Sequence, residues 1–125
     1  MAQQVITTDK GREKYAEALA GEIDFDPAEQ MGFGDGGYSD GEVVDPDPSW
    51  TTVPGELTTK LLEEQEADEF TAKMQAVLEQ SDLVGEDISA AGIYDEGGDL
   101  IAVATFSPIP KGEDDRIEFD WNTAF

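Results

Sequence analysis

Residues 117–125 alternate between two kinds of side chain more regularly than any other segment of the chain. Ile117, Phe119, Trp121, Thr123 and Phe125 alternate with Glu118, Asp120, Asn122 and Ala124. Because successive side chains of a strand point to opposite faces, this pattern predicts a strand with one strongly apolar face. Such a face has to cover a core or a partner, so the chain is expected to contain a sheet that is buried on one side.

The region before this strand predicts a β-hairpin. Two apolar runs rich in residues that favour strands, 88–94 and 100–106, flank the turn sequence 95–99, which is Asp-Glu-Gly-Gly-Asp. Short apolar runs on either side of a Gly- and Asp-rich turn are typical of antiparallel hairpins. Residues 107–112 contain two prolines and are expected to form a stiff connection to the last strand.

The N-terminal region predicts one short helix over residues 10–20. Thr8 or Asp9 precedes it and can cap its free N–H groups, and Gly21 is placed to end it. Its apolar stripe is narrow and centres on Tyr15 and Leu19. A stripe of this width can lie on a sheet but cannot hold a helical bundle together.

A long acidic segment follows the helix. Residues 22–26 and 31–33 alternate around Ile23, Phe25, Met31 and Phe33, and each predicts a short half-buried strand or extended segment. Residues 35–56 are rich in Asp, Gly, Ser and Pro, which predicts a flexible acidic loop. Trp50 lies near the end of this loop and is expected to pack it back onto the body of the protein.

Residues 57–78 carry two conflicting patterns. One set of apolar positions fits a helical face, and the composition of the segment favours a helix. The apolar residues of 70–78 also alternate with polar ones, which is the pattern of a strand. The periodicity therefore leaves helix and strand open here.

Together these elements predict an α+β protein, mainly an antiparallel β-sheet or sandwich with a short N-terminal helix. A length of 125 residues fits a single domain, 1–125. The first residues carry neither a basic nor an apolar stretch, and no apolar run is long enough to span a membrane. We therefore expect a folded, soluble protein without a cleaved export signal.

The charge of the chain excludes several classes of function. Asp and Glu number 30 against 7 Lys and Arg, which gives a net charge of −23, and the chain has neither His nor Cys. So negative a protein repels nucleic-acid backbones and anionic membranes, and we expect neither partner. Without Cys and His, thiol and Ser-His nucleophiles and the usual zinc sites are also excluded.

The same charge predicts an environment of molar salt. Repulsion among so many carboxylates destabilises a compact state in dilute buffer. At about 1 M salt the Debye length falls to ~3 Å, and the repulsion is largely screened. The composition thus favours a protein of a halophilic archaeon or its virus. Three alternatives remain: an acidic mimic of DNA, a calcium-binding module and an ordinary acidic surface.

The Asp- and Gly-rich turns are the candidate metal sites. Residues 35–37, 40–41, 45–47 and 95–99 offer the oxygen ligands that calcium prefers, but none follows the twelve-residue calcium loop. Asp and Gly are also the usual residues of turns, so plain acidic turns are the favoured interpretation. Residues 32–37 superficially resemble a phosphate-binding loop but lack its Lys-Ser/Thr ending.

No group of residues predicts catalysis. The carboxylates of 63–69 form a dense run without a pair in two distinct environments, so a solvated face is the favoured interpretation. Trp121 is expected in the core because it lies on an alternating strand, whereas Trp50 fits the core or an interface equally well. The sequence therefore predicts no enzyme, no catalytic residue, no metal ligand and no cofactor.

Both ends of the chain resemble a known family. Residues 88–95, Ile-Ser-Ala-Ala-Gly-Ile-Tyr-Asp, followed by Gly98-Asp99-Leu100-Ile101-Ala102 and Thr105-Phe106, resemble the signature "I-x-E-x-G-L-[FY]-D … G-x-L-[IL]-A … T-F" of small tail-fibre or tail-collar-like proteins of tailed bacteriophages. The connection 108–111 and the strand 115–125 resemble the continuation of that signature. Residues 6–11 and 31–37 resemble its N-terminal segments. Ala90 and Ala91 stand where the family commonly has an acidic residue.

The resemblance implies a structural protein of a virion. Joined to the salt-adapted composition, it predicts a component of the tail tip, baseplate or fibre attachment of a tailed virus of a halophilic archaeon. Its expected partners are other virion proteins and symmetry mates in a trimer or ring, assembled in the host cytoplasm. A capsid decoration or turret-base protein is the close alternative, and a DNA-mimicking inhibitor is the alternative of another class. The family also places a strand before residue 88, which favours a strand for 70–78.

Overall fold

The computed structural model describes residues 4–124, which form one helix and ten strands. In chain order these are β1 (Gln4–Thr7), α1 (Asp9–Leu19), β2 (Ala28–Gly34), β3 (Tyr38–Ser39), β4 (Glu42–Val43), β5 (Glu56–Leu61), β6 (Glu64–Asp68), β7 (Thr71–Leu78), β8 (Asp87–Asp95), β9 (Leu100–Pro110) and β10 (Ile117–Ala124). The predicted α+β class with mainly antiparallel strands is confirmed. Phe125, predicted to end the last strand, lies outside the described residues.

The strands form two larger sheets and a small hairpin. A five-stranded sheet has the order β1-β9-β8-β2-β5, and a three-stranded sheet has the order β10-β7-β6. Strands β3 and β4 pair only with each other. All neighbouring strands are antiparallel. The connection from β5 to β6 carries the chain from the first large sheet to the second.

The predicted hairpin is the centre of the first sheet. Strands β8 and β9 pair from Tyr94↔Leu100 to Asp87↔Pro110, on either side of the turn at 96–99. The prediction of a separate connection at 107–112 is wrong over its first four residues, because β9 continues to Pro110. Among residues 4–124, β1 pairs with β9 as far as Thr105, and no described strand pairs with that side of β9 beyond this residue. Proline is tolerated in a strand at such positions.

The segment left open between helix and strand consists of strands. Residues 57–78 contain most of β5 and all of β6 and β7. Strand β7 pairs with β10 along its whole length, from Ile117↔Leu78 to Ala124↔Thr71. This tertiary pairing outweighs the helix-favouring composition of the segment.

Two other expectations for short strands had different outcomes. Met31 and Phe33 lie in β2, where both are buried rather than half-buried because each face of the sheet is covered. Residues 22–26 form no strand. Ile23 and Phe25 are 38% and 61% exposed there, and Phe25 stacks on Tyr15 of the helix.

The main core lies between the two large sheets. Met31, Phe33, Leu78, Ile88, Ile93 and Trp121 belong to it. The predicted burial of Trp121 is therefore confirmed. The rings of Phe33 and Phe119 meet across the interface with centroids 4.7 Å apart. Alternate residues of β10 face this core, as its sequence predicts.

The acidic segment between β2 and β5 covers the other face of the five-stranded sheet. Val53 is buried there in a second cluster with Tyr94 and Leu100, and Trp50 packs against that cluster, as predicted. The side chain of Thr105 donates a hydrogen bond to the Val44 carbonyl at 2.6 Å. These contacts place the segment on the sheet, while the flexibility expected for 35–56 stays a prediction.

The helix forms where the sequence places it. The Thr8 side chain caps it by accepting a hydrogen bond from the Gly11 N–H at 3.0 Å. The same hydroxyl donates to the Leu100 carbonyl at 2.6 Å, which joins the start of the helix to β9. Gly21 has a φ of +80° and follows the last turn, and Glu22 closes that turn by bonding to the Glu17 carbonyl.

Candidate functional site

An apolar cleft opens between the two large sheets at one end of the sandwich. Its volume is about 450 Å³. One wall is formed by Val5, Ile6, Ile93, Ile101 and Ala102 of the five-stranded sheet, and the other by Ala67, Ala72, Met74, Trp121 and Thr123 of the three-stranded sheet. Toward the opposite end of the two sheets, Leu78 and Ile88 are buried in the core.

Two aromatic rings extend the cleft beyond the strands. Tyr15 of α1 and Phe25 of the following connection both line it. Their rings are stacked nearly parallel, with centroids 5.6 Å apart and an interplanar angle of 9°. Phe25 is 61% exposed, and Val5, which also lines the cleft, is 54% exposed. A contiguous apolar surface of this kind marks a site of interaction with another molecule.

The cleft carries little charge for a protein of this composition. Within the part of the chain that the structure describes, its lining includes charged side chains only at Glu66 and Lys73. Exposed carboxylates occur nearby on β6 and β10. A partner can therefore bury the cleft itself without desolvating many carboxylates, which is the costly step in burying an acidic surface.

A buried ion-pair cluster positions the helical side of the cleft. The Lys14 ammonium group contacts the carboxylates of Asp95, Asp26 and Asp99, and the last two lie at 2.9 and 3.1 Å. Asp95 is only 2% exposed. The hydrogen bond to Asp95 is the largest cause that raises the pKa of Lys14, although partial burial opposes it. Lys14 thus fixes α1, with the adjacent Tyr15, to the β8–β9 turn.

Tyr15 is itself partly buried beside this cluster. Burial is the main cause that raises the pKa of its phenol, and the negative charge of Asp95 adds to it. The phenol therefore stays neutral at physiological pH, and its ring serves as an apolar surface of the cleft.

A second polar contact holds the acidic segment on the opposite face of the sheet. The Tyr94 hydroxyl donates to the Glu56 carboxylate and accepts a hydrogen bond from the Val53 N–H at 3.1 Å. Burial and the Glu56 carboxylate raise the pKa of Tyr94. The phenol is neutral at ordinary pH and can make both bonds.

The predicted acidic turns have separate structural environments. The N–H and the hydroxyl of Ser49 both donate hydrogen bonds to the Asp47 carboxylate. The bond from the hydroxyl is the main cause that lowers the pKa of Asp47. Asp45 accepts a hydrogen bond from Gln4, whereas Asp95 and Asp99 bind Lys14. Among residues 4–124, no group of three or more Asp or Glu side chains has an arrangement that could hold a metal ion.

The other candidates from the sequence also have defined places. Residues 32–34 belong to β2 rather than to a phosphate-binding turn before a helix. The carboxylates of β6 are all exposed, as expected for a solvated face. Ala90 and Ala91, which stand where the family is commonly acidic, are buried on opposite faces of the five-stranded sheet. An acidic side chain at either position would be buried, which is costly for a charged group without a partner.

The sequence did not predict the cleft. Its lining residues come from strands in both sheets and from the helix, and Val5 and Thr123 lie at opposite ends of the chain. Lys14 is separated from Asp95 by 81 residues. The available signal was the aromatic residue Phe25 close after the helix, in the segment 22–26 for which the alternation predicts a short strand or extended segment.

No helix among residues 4–124 has the length and apolar character needed to cross a membrane. The search of curated proteins and the search of solved structures found no match. A scan of protein-family models matched residues 1–120 to the model described as phage tail-collar fibre protein, N-terminal. This match covers nearly the whole chain and includes the regions in which the sequence resembles tail-fibre proteins, the last of them up to residue 120. The chain therefore belongs to the phage tail-collar fibre protein family, and it matches the N-terminal domain of that family.

Proposed function

We propose that the chain is a structural component of the tail tip, baseplate or fibre attachment of a tailed virus that infects a halophilic archaeon. The family is structural and non-enzymatic, and membership implies a component of the virion tail that assembles with other virion proteins. The family match to residues 1–120 is the observation that carries the tail assignment. The assignment of the host is argued separately, from the net charge of the chain and its distribution.

The distribution of the charge supports the halophilic host. Exposed carboxylates occur on α1, along β6, on the outer face of β10 and in the turn at 113–115. A mimic of DNA needs carboxylates ranged along one face, whereas a surface adapted to molar salt is acidic all round. The distribution therefore favours adaptation to salt over the mimicry of DNA.

Assembly is the proposed mechanism. The domain is held rigid by a core between two sheets and presents the apolar cleft at one end. In a trimer or ring, each copy contacts its symmetry mates and the neighbouring tail proteins. We propose that the particles are assembled in the host cytoplasm.

Mass spectrometry of purified virions tests the assignment. Intact particles and particles stripped of their tails are compared in the same preparation, with the major capsid protein as the internal standard. We expect the protein in intact particles and its loss with the tails. Retention on tailless particles would support the alternative of a capsid decoration or turret base, and absence from intact particles would refute the assignment to the virion.

A further inference from the structure

Strand β10 has one unpaired edge beside the cleft. One edge of β10 pairs with β7 over all eight residues, and within residues 4–124 no strand pairs with the other edge. Strand β1 is likewise the outermost strand of its sheet. Residues of both strands line the cleft, so it opens between two sheet edges. An unpaired edge is a template for the backbone of an added strand.

The side chains of β10 define what such an added strand would meet. Phe119, Trp121 and Thr123 point toward the space between the sheets, whereas Glu118 and Asp120 face solvent. A strand placed beside β10 would direct alternate side chains into the cleft and the others outward, next to these carboxylates. Opposite charges on neighbouring strands stabilise a sheet, and like charges destabilise it.

The cleft has room for several side chains. An apolar protein cavity of about 150 Å³ holds a benzene molecule. A cleft of about 450 Å³ therefore accommodates apolar groups from about three residues of an added strand. Their burial would cover Val5 and Phe25, which are exposed in the isolated chain.

We propose that the free edge of β10 binds an extended segment of a neighbouring virion protein. In that segment, apolar side chains that enter the cleft alternate with lysine or arginine side chains on the outer face. The proposal rests on the proposed function for the class of partner. The outer residues follow from charge complementarity to Asp120, which accepts a hydrogen bond from Gln75, and to Glu118, which binds Arg116 at 2.7 Å. The apolar lining determines the inner residues.

A second copy of this chain is a poorer occupant of the site. Each copy carries a net charge of −23. Pairing of two β10 edges would bring Glu118 and Asp120 of one copy near the same carboxylates of the other. This repulsion disfavours a dimer and is strongest in dilute buffer. The oligomeric state of the protein is therefore measured as part of the test.

The test measures the binding of defined peptides to the full chain. The probe is a fluorescein-labelled, ten-residue peptide of alternating valine and lysine, measured by fluorescence anisotropy in KCl at which circular dichroism shows a folded protein. We expect saturable binding. A peptide with serine in place of valine tests binding by charge alone, and we expect it to bind about tenfold more weakly or worse. A peptide with glutamate in place of lysine tests the outer face and is also expected to bind more weakly.

N-methylated peptides test whether the probe binds as a strand. The N–H groups of alternate residues of an extended chain point to opposite edges, so methylation of all valines or of all lysines blocks one edge at a time. We expect at least one of these two peptides to lose binding to the unmodified protein. If both N-methylated peptides bind as tightly as the unmodified probe, strand addition is refuted.

A matched pair of variants locates the site. Thr123→Trp fills the cleft, whereas Ala124→Trp places the same side chain on the outer face of the same strand. We expect the first variant to weaken binding about tenfold and the second to leave it within about twofold. Equal affinities of the two variants for the probe would contradict the assignment to the cleft. If the unmodified protein forms a dimer and Thr123→Trp abolishes it, the cleft binds a second copy instead.

The outcomes separate this inference from the proposed function. If the protein is lost with the tails but the valine-lysine probe binds no better than the serine-lysine peptide, the docking site is refuted and the tail assignment stands. If the probe binds as expected but the protein is absent from virions, the tail assignment is refuted, and with it the class of partner.

Discussion

Gly11 is the residue at which the helix meets the sheet. A β-carbon there would press against the backbone carbonyl of Ile101 on β9, and that backbone cannot move without disturbing the ladder. We expect Gly11→Ala to destabilise the protein by about 1–3 kcal/mol, despite the better helix propensity of alanine, because the contact overpacks a fixed site. Urea unfolding followed by circular dichroism measures the change.

Glu13→Ala is the control for this prediction, since Glu13 is exposed on the same helix. Its free energy of unfolding should change by no more than about 0.5 kcal/mol. A stabilised Gly11→Ala protein would show that the helix does not lie as close to β9 as described.

The Lys14 ammonium group forms ion pairs with three carboxylates. We expect Lys14→Met to destabilise the protein by about 3 kcal/mol, because it leaves the buried Asp95 without a counter-charge. Lys10→Met is the matched control, since Lys10 is 45% exposed and makes one surface pair, and it should cost less than about 1 kcal/mol. Thermal or urea unfolding of the two variants at the same salt concentration makes the comparison.

The raised pKa of Lys14 gives this contribution a defined dependence on pH. The unfolded-state pKa of lysine is about 10.4, and the folded-state pKa lies above it. Stabilisation by Lys14 is therefore complete below about pH 10 and is lost as the pH rises through the folded-state pKa. The stability difference between the parent protein and Lys14→Met should be constant from about pH 7 to pH 9. A difference that disappears within this range would contradict the assigned ion pairs.

At the scale of elements, the sequence predicts what its local signals determine. The cap at Thr8, the stop at Gly21 and the alternation in β10 act over a few residues, and each gives the element that the structure contains. The turn at 96–99 likewise defines its hairpin.

The remaining elements depend on partners that are distant in the sequence. Strand β7 is a strand because β10 pairs with it, although its residues also suit a helix. Every residue of β6 is exposed, so the strand has no apolar pattern from which to predict it. The cleft requires the relative placement of two sheets, which local periodicity does not contain.

The acidic segment 35–56 is an element whose mobility can be measured. The Gly37 and Val53 N–H groups donate to Ser89 and Tyr94, so we expect their amides to be protected from hydrogen exchange. The turn at Asp40 and Gly41 is exposed, so its amides should exchange rapidly. This pattern is that of a loop that is flexible only at its tip. Hydrogen exchange measured by NMR resolves the individual amides.

Tyr94→Phe tests how that segment is held. The change removes the hydroxyl that binds Val53 and Glu56 and leaves the ring in the second cluster. We expect faster exchange at Val53 and a loss of about 1–3 kcal/mol, because the Val53 N–H is left without its partner in a buried site. Unchanged exchange at Val53 would mean that this bond does not hold the segment.

For the whole molecule, the charge predicts folding that is promoted by salt. Raising KCl from about 0.1 M to about 1 M shortens the Debye length from about 10 Å to about 3 Å and screens repulsion among exposed carboxylates. We expect circular dichroism to show a higher midpoint of thermal unfolding at the higher concentration. A variant with Glu64→Gln, Glu66→Gln and Asp68→Asn on the exposed strand β6 should show a smaller increase. A midpoint that is indifferent to salt would count against the halophilic host.

The location of the domain in the particle tests the central claim most directly. A cryo-EM reconstruction of the tail, at a resolution that separates strands, can be searched for the five-stranded and three-stranded sheets with their single short helix. We expect this density at the tail tip, baseplate or fibre attachment, with the open end of the sandwich against a neighbouring protein. Density for the domain on the capsid, or a fully resolved tail without it, would refute the proposed function.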